Sequence, residues 1–371
     1  MVASSAAVVG ATPTAGPLPV PASLPAALAP GPDERLPDCA AVVDAMSPRA
    51  RLAQRLMVGV DAADPAAAAE TVRSTQVGGI FLPGNATELL RDQALRTVQA
   101  GARIPVAVAV DDEGGRVQRI DDLDGDLPSA REMSARSVDE VRALGEERGR
   151  ALAARGVTTN LGPVVDLGGQ PDGAVIGDRS FGTDPGEVTR YARAFAEGQH
   201  AAGLATVIKH FPGHGRADGD SHAGRVSTPP LDDLRTADLL PYAALVSPGA
   251  PLADTRTGVM VGHLDVPGLT GDLPSSLTPA VYELLRGEYG FDGLVLTDDL
   301  GAMKAVTGTY ALPEAVLAAL DAGADVALWS NPEDPDAVLD VLESALAEGT
   351  LDAAENAEAV TRVLRTKNAC S

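Results

Sequence analysis

Eight short apolar runs, rich in β-branched residues and separated by helical segments, lie at residues 56–60, 79–82, 105–110, 158–165, 205–208, 259–262, 293–297 and 325–329. Alternation of this kind builds βα units around a parallel sheet. The helical segments between the runs have recognisable ends. Ser137 with Glu140, and Asp184 with Glu187, have the spacing of capping boxes, and Pro185 takes the first helical position of the second. Gly203, Gly323 and Gly349 read as helix stops, and Thr278-Pro279 as a helix start. Eight units with no internal repeat and no second composition regime predict a single (β/α)₈ TIM barrel rather than an open doubly wound sheet.

Residues 1–38 are rich in Ala, Pro and Ser and lack periodicity. They are expected to form a flexible tether ahead of a catalytic domain spanning 39–371, and they lack the charged start and clean apolar stretch of an intact signal peptide. Cys39 and Cys370 are the only cysteines. They flank a barrel whose first and last elements are neighbours, so a disulfide joining them is expected, together with an oxidising compartment. The 29 basic and 52 acidic residues give a net charge of -23. That charge repels nucleic acid phosphates and anionic lipid headgroups. No apolar run reaches the roughly 18 residues that would suggest a membrane span.

No phosphate-cradling glycine loop follows a strand in the required place, so no nucleotide cofactor is expected. In a barrel the chemistry gathers at the C-terminal strand ends. The unusual polar residues fall there: Asp111 after the third run, Asp166 after the fourth, Lys209 and His210 after the fifth, His263 after the sixth, and Asp298 and Asp299 after the seventh. Asp commonly caps the helix that follows a strand, so one such residue signifies little; five strands together predict a site.

The densest stretch is KHFPGHGRADGDSH, residues 209–222, with three of the five histidines and two acids. It reads either as a solvated surface loop or as chemistry. His210, His214, Asp220 and His222 are zinc-type ligands, but their spacing matches no helical zinc pattern, and no metal is expected. The other reading is acid/base work by Asp220 and His222, the carboxylate fixing the tautomer and raising the basicity of the imidazole. FDGLVLTDDLGAM, residues 291–303, offers a carboxylate nucleophile at a strand end.

With KHFPGHG and DSH, the segments VDDEGGRVQR, VIGDRSFG, VMVGHL and SSLTPAVYELLRGEYGFDGLVLTDDLGAM resemble, in the same order, the family 3 glycoside hydrolases, specifically the NagZ-type β-N-acetylglucosaminidases. The likeness covers roughly residues 46–366. It implies a retaining exo-β-N-acetylglucosaminidase acting on peptidoglycan fragments, with Asp298 as nucleophile, His222 as acid/base and Asp220 as the acid that orients it. It further implies that Asp111, Arg119, Arg179, Lys209 and His210 hold the hydroxyls and N-acetyl group of the terminal sugar. Asp299 is expected to cap the turn into Gly301, and His214, where members of the family differ, to be loop structure. The tether and terminal cysteines look more like exported actinobacterial, including mycobacterial, cell-wall forms than cytoplasmic ones. No lipobox cysteine supports a lipid anchor. The expected partner is a saccharide, taken up by a monomer. A β-N-acetylglucosaminide phosphorylase remains an alternative, since an imidazole would not repel an incoming phosphate as a carboxylate does. A non-catalytic glycan-binding barrel is the alternative from another class.

Overall fold

All eight predicted runs form parallel strands, and they close in chain order into one barrel: β1 (Leu56–Gly59), β2 (Gly79–Phe81), β3 (Ala107–Val110), β4 (Thr159–Asn160), β5 (Ala205–Phe211), β6 (Thr257–Val261), β7 (Leu294–Asp299) and β8 (Val326–Trp329). The computed structural model describes residues 36–331 and 333–371. The expected tether at 1–38 thus lies outside the described residues except for 36–38. These run beside the chain end, where the Ser371 amide donates to the Pro37 carbonyl at 3.0 Å.

The strands are continuously apolar because both faces are covered. Met57, Phe81, Ala109, Leu161, Val207, Met260, Leu296 and Leu328, one from each strand or its end, pack together as an inner cluster. Their neighbours, including Leu56, Val58, Ile80, Val108, Val110, Val259, Val295 and Trp329, belong to the larger core shared with the helices. Side chains alternate along a strand, so the inner line continues from Ala109 to Asp111, from Val207 to Lys209 and from Leu296 to Asp298. The same pleat that fills the barrel delivers these three polar residues to its mouth.

Two irregularities refine this placement. Ile208 and Phe211 pair with Val259 and Val261, so three steps on β5 answer two on β6. The extra residue lets His210 join Lys209 away from the outer face, the usual consequence of a bulge beside a site. On β7, likewise, Leu296 and Asp299 pair with Val326 and Leu328. The fourth run departs most from expectation. Its strand is only two residues long, followed by Gly162-Pro163, and the chain rejoins the sheet by a single bridge from Val164 to Lys209. Proline cannot donate to a ladder, which shortens the strand.

The helix ends follow their sequence signals. Ser137 and Glu140 form a reciprocal capping box on the helix Val138–Ala154. Asp184 caps the Glu187 amide of Pro185–Ala201, although the return bond of a full box is absent. Gly349 closes Pro335–Glu348 in the left-handed region. Cys39 and Cys370 form a disulfide with a Cα–Cα distance of 4.9 Å, packed with Val43, Val360 and Leu364 between the helices Cys39–Asp44 and Ala353–Thr366.

Candidate active site

Three consecutive acids after β3 turn in three directions. Asp111, on the inner line, accepts from Lys209 Nζ at 2.5 Å and lies 4.0 Å from the Arg119 guanidinium. Asp112 is buried. Its Oδ1 accepts from Arg148 Nε at 2.7 Å, and its Oδ2 from Arg148 Nη2 and from the Arg119 amide, which sets where Arg119 begins. Glu113 takes Arg179 in a two-bond fork, 2.7 Å from Nε and 2.8 Å from Nη2, and lies 2.6 Å from Lys209 Nζ. Four of the five residues expected to hold the sugar are therefore gathered around Asp111 and Glu113. Glu113, absent from the expected set, is the clamp between Lys209 and Arg179.

Burial disfavours the Glu113 carboxylate, yet Arg179 and Lys209 outweigh it and hold the group well below the usual carboxylate range. Burial likewise works against the Lys209 ammonium, and Asp111 and Glu113 reverse it, so its pKa is raised. This corner of the mouth is a fixed set of charges.

His210 is held from behind. Asp166, buried beyond β4, accepts from His210 Nδ1 at 2.6 Å and from the amides of His210 and His214. Burial alone would raise the Asp166 pKa, but the two histidines bring it below its ordinary value. A carboxylate acceptor puts the proton on Nδ1 of His210 and leaves Nε2 without a hydrogen bond among the described residues. Asp166 stood out in the sequence only as a strand-end acid; its role depends on a contact 44 residues away.

Asp298 and Asp299 end β7 side by side but are bonded very differently. Asp299 accepts from the amides of Gly301, Ala302 and Ser330 and from the Ser330 hydroxyl, so it caps the turn as expected. Asp298 accepts a single bond among the described residues, from the Asp299 amide at 2.9 Å. Burial pushes its pKa up, but His210, His263, that amide and Lys209 bring it down to about 2. It is a carboxylate with open acceptor positions. His263, just after β6, is buried, linking Ser276 Oγ at 2.7 Å to the Asp299 carbonyl at 3.0 Å, and burial lowers its pKa.

Asp220 and His222 pair on the β5 loop. Asp220 Oδ1 accepts from both the amide (2.9 Å) and Nδ1 (2.8 Å) of His222. The two-residue spacing is that of an Asx-turn, which folds the carboxylate back over its own loop. The His222 side chain is 64% exposed, and its Nε2 has no hydrogen bond among the described residues. These side chains form no bond to the buried network. His214, expected to be loop structure, is instead buried within that network, its Nε2 3.0 Å from Ser221 Oγ. His210, His214 and His222 thus turn to three different partners. Among the described residues no three His, Cys, Asp or Glu side chains converge as a metal-ligand set.

The eight-stranded βα barrel thus carries a lightly bonded, ionised carboxylate at one strand end and an exposed Asp–His pair on a neighbouring loop. Residues 48–366 match the family described as Glycosyl hydrolase family 3 N terminal domain. The chain belongs to that family and is a glycoside hydrolase. It is 50% identical over 331 residues to the β-hexosaminidase LpqI of Mycobacterium tuberculosis, covering 87% of this chain and 83% of that one. The solved structure of M. tuberculosis LpqI superposes with a TM-score of 0.84 at 47% identity, covering 90% of this chain and 97% of that chain. A family 3 β-N-acetylglucosaminidase from a Paenibacillus species gives a TM-score of 0.80 at 29% identity, covering 88% and 63%.

Proposed function

We propose that this glycoside hydrolase removes terminal β-linked N-acetylglucosamine from peptidoglycan fragments by double displacement, with retention of configuration. Its family and its 50% identity to a β-hexosaminidase make it a β-hexosaminidase. The finer reading rests above all on Asp298, held ionised with one internal hydrogen bond while its neighbour Asp299 is fully engaged. Such a carboxylate attacks the anomeric carbon as His222 Nε2 protonates the departing oxygen. The same nitrogen then takes a proton from the water that releases the sugar, and Asp220 keeps Nδ1 protonated in both steps. With a dedicated nucleophile, the substrate's acetamido group need not serve as one.

Asp111, Arg119, Arg179, Lys209 and His210 are assigned to the hydroxyls and N-acetyl group of the terminal sugar. The paired Lys209 and Arg179 present rigid donors, and the His210 ring presents Nε2. Residues 39–371 act as the catalytic unit, as a monomer. The disulfide and the mycobacterial relative support an exported protein of the cell envelope or extracellular space. Among the described residues no helix is long and apolar enough to cross a membrane.

One experiment tests the chemistry. Proton NMR of a fresh digest of an N-acetylglucosaminyl-anhydromuramic disaccharide is expected to show the β-anomer of N-acetylglucosamine before mutarotation. An α-anomer first would overturn double displacement. Formation of sugar 1-phosphate on adding phosphate would make the enzyme a phosphorylase, and no cleavage at all would overturn the substrate assignment.

A further inference from the structure

His222 is exposed on a glycine-rich loop and is oriented by Asp220, a residue of the same loop, so the pair cannot by itself fix where the loop sits. The residue between them can. Ser221 is 0% exposed, and its hydroxyl is 3.0 Å from His214 Nε2, its hydrogen-bonding partner among the described residues. His214, 2% exposed, has its amide bonded to Asp166 at 2.6 Å, and its ring meets that of His210 edge-on at 5.8 Å. Asp166 also holds Nδ1 of His210. On the far side, the Ala305 amide donates to the Ser221 carbonyl at 3.1 Å, and the Lys304 amide reaches the His222 carbonyl at 3.4 Å. The segment after the nucleophile strand thereby touches the same two residues. Gly215 allows the descent of the loop, since a Cβ there would lie 1.8 Å from the Leu167 carbonyl oxygen.

We propose that His214 and Ser221 are positioning residues for the acid/base step. Their hydrogen bond anchors the loop so that His222 Nε2 meets the glycosidic oxygen, and it ties that placement to Asp166, which also orients His210. The inference rests on His222 being the acid/base. Adjacent residues on this turn face opposite ways, so the buried Ser221 side chain sets the position from which the exposed imidazole projects. Losing the bond affects proton delivery and spares nucleophilic attack.

The test compares Ser221→Ala, His214→Ala and His214→Gln with His222→Ala, each on an N-acetylglucosaminyl disaccharide and on 2,4-dinitrophenyl β-N-acetylglucosaminide. Ser221→Ala and His214→Ala should lower kcat/KM on the disaccharide by about 10- to 100-fold, yet by less than about 3-fold on the activated aryl substrate, which needs little protonation. The inhibition constant for N-acetylglucosamine should stay at its wild-type value in both, and the melting temperature of Ser221→Ala should stay close to wild type. His214→Gln, whose amide reaches Ser221 from the same side, should recover most of the loss. Equal loss on both substrates, or no loss on either, would overturn the proposal. Should His214→Ala fail to fold, the small Ser221→Ala change decides alone. If His222→Ala itself ignores the leaving group, the acid/base assignment falls and this inference with it; if His222→Ala depends on it and Ser221→Ala does not, only this inference falls.

Discussion

Asp298 and Asp299 are chemically identical side chains one residue apart, yet among the described residues the first accepts one hydrogen bond and the second four. The same contrast distinguishes the histidines: His263 is locked between Ser276 and a carbonyl, whereas His222 keeps Nε2 open. Truncating His222 to Ala should leave attack on activated aryl substrates largely intact and block release of the glycosyl-enzyme, so that a burst appears and azide restores turnover. Rapid-quench kinetics would reveal both, and loss that is uniform across leaving groups would move the acid/base elsewhere. Asp220→Ala should behave as a weaker His222→Ala because the ring remains without its partner. The pH dependence follows from Asp298. Its folded pKa, about 2, lies below the ordinary carboxylate value of about 3.9. The group therefore adds stability above the unfolded pKa, and that contribution is lost as pH falls toward the folded one. In His222→Ala, the burst rate on an activated substrate should thus stay flat from pH 7 down to about 4, where a nucleophile with an ordinary pKa would already lose about half its ionised form. A burst that titrates away between pH 6 and 5 would contradict the bonding seen around Asp298.

At the scale of elements, strand pleat and bulge do the placing. The inner line of β3, β5 and β7 brings Asp111, Lys209 and Asp298 into one mouth, and the β5 bulge adds His210. Glu113 then fixes two cations contributed by separate elements, β5 and the short turn Gly177–Arg179. Glu113→Gln keeps the shape but removes the charge that pairs both cations. It should lower kcat/KM by at least about tenfold on all substrates alike, mainly through KM, because the loosened Lys209 and Arg179 are assigned to the terminal sugar rather than to the leaving group. That uniformity distinguishes it from the proton-transfer variants. Away from the mouth, Ser137→Ala should lower unfolding free energy by about 1 kcal/mol, read from urea denaturation, with unchanged kcat, since it removes one half of a surface capping box.

Across the whole molecule, the Cys39–Cys370 disulfide closes a loop with a sequence separation of 331 and joins the helix Cys39–Asp44 to the segment after the helix Ala353–Thr366. On the chain-entropy model this constraint on the unfolded state stabilises by on the order of 5 kcal/mol, an upper figure where the unfolded chain retains structure. Its surroundings, Val43, Val360 and Leu364, share no residue with the mouth. Cys39→Ser with Cys370→Ser should therefore lower the melting temperature clearly while kcat at 25 °C stays the same. An unchanged melting temperature would mean that helix packing alone holds the ends together.

Patterns local in the chain were legible without a structure. Eight apolar runs and their capped helices required only hydrophobic periodicity and turn chemistry, and both are properties of neighbouring residues. The Asp220–His222 pair was readable for the same reason: an Asx-turn spans two positions. The cysteine pairing followed from there being only two cysteines on a barrel whose ends meet. The jobs of Asp112, Glu113 and Asp166 depended on partners far along the chain, Arg148, Arg179 and His210, and that of His214 on a loop fold that buries Ser221 beside it. No local spacing encodes those contacts. The length of β4 and the two bulges also lay outside the pattern, because a bulge is defined by the neighbouring strand's register. Sequence determined which chemical groups the barrel would carry and near which strand ends; closure of the barrel decided which of them stay ionised, which are fully bonded, and which keep open hydrogen-bonding positions.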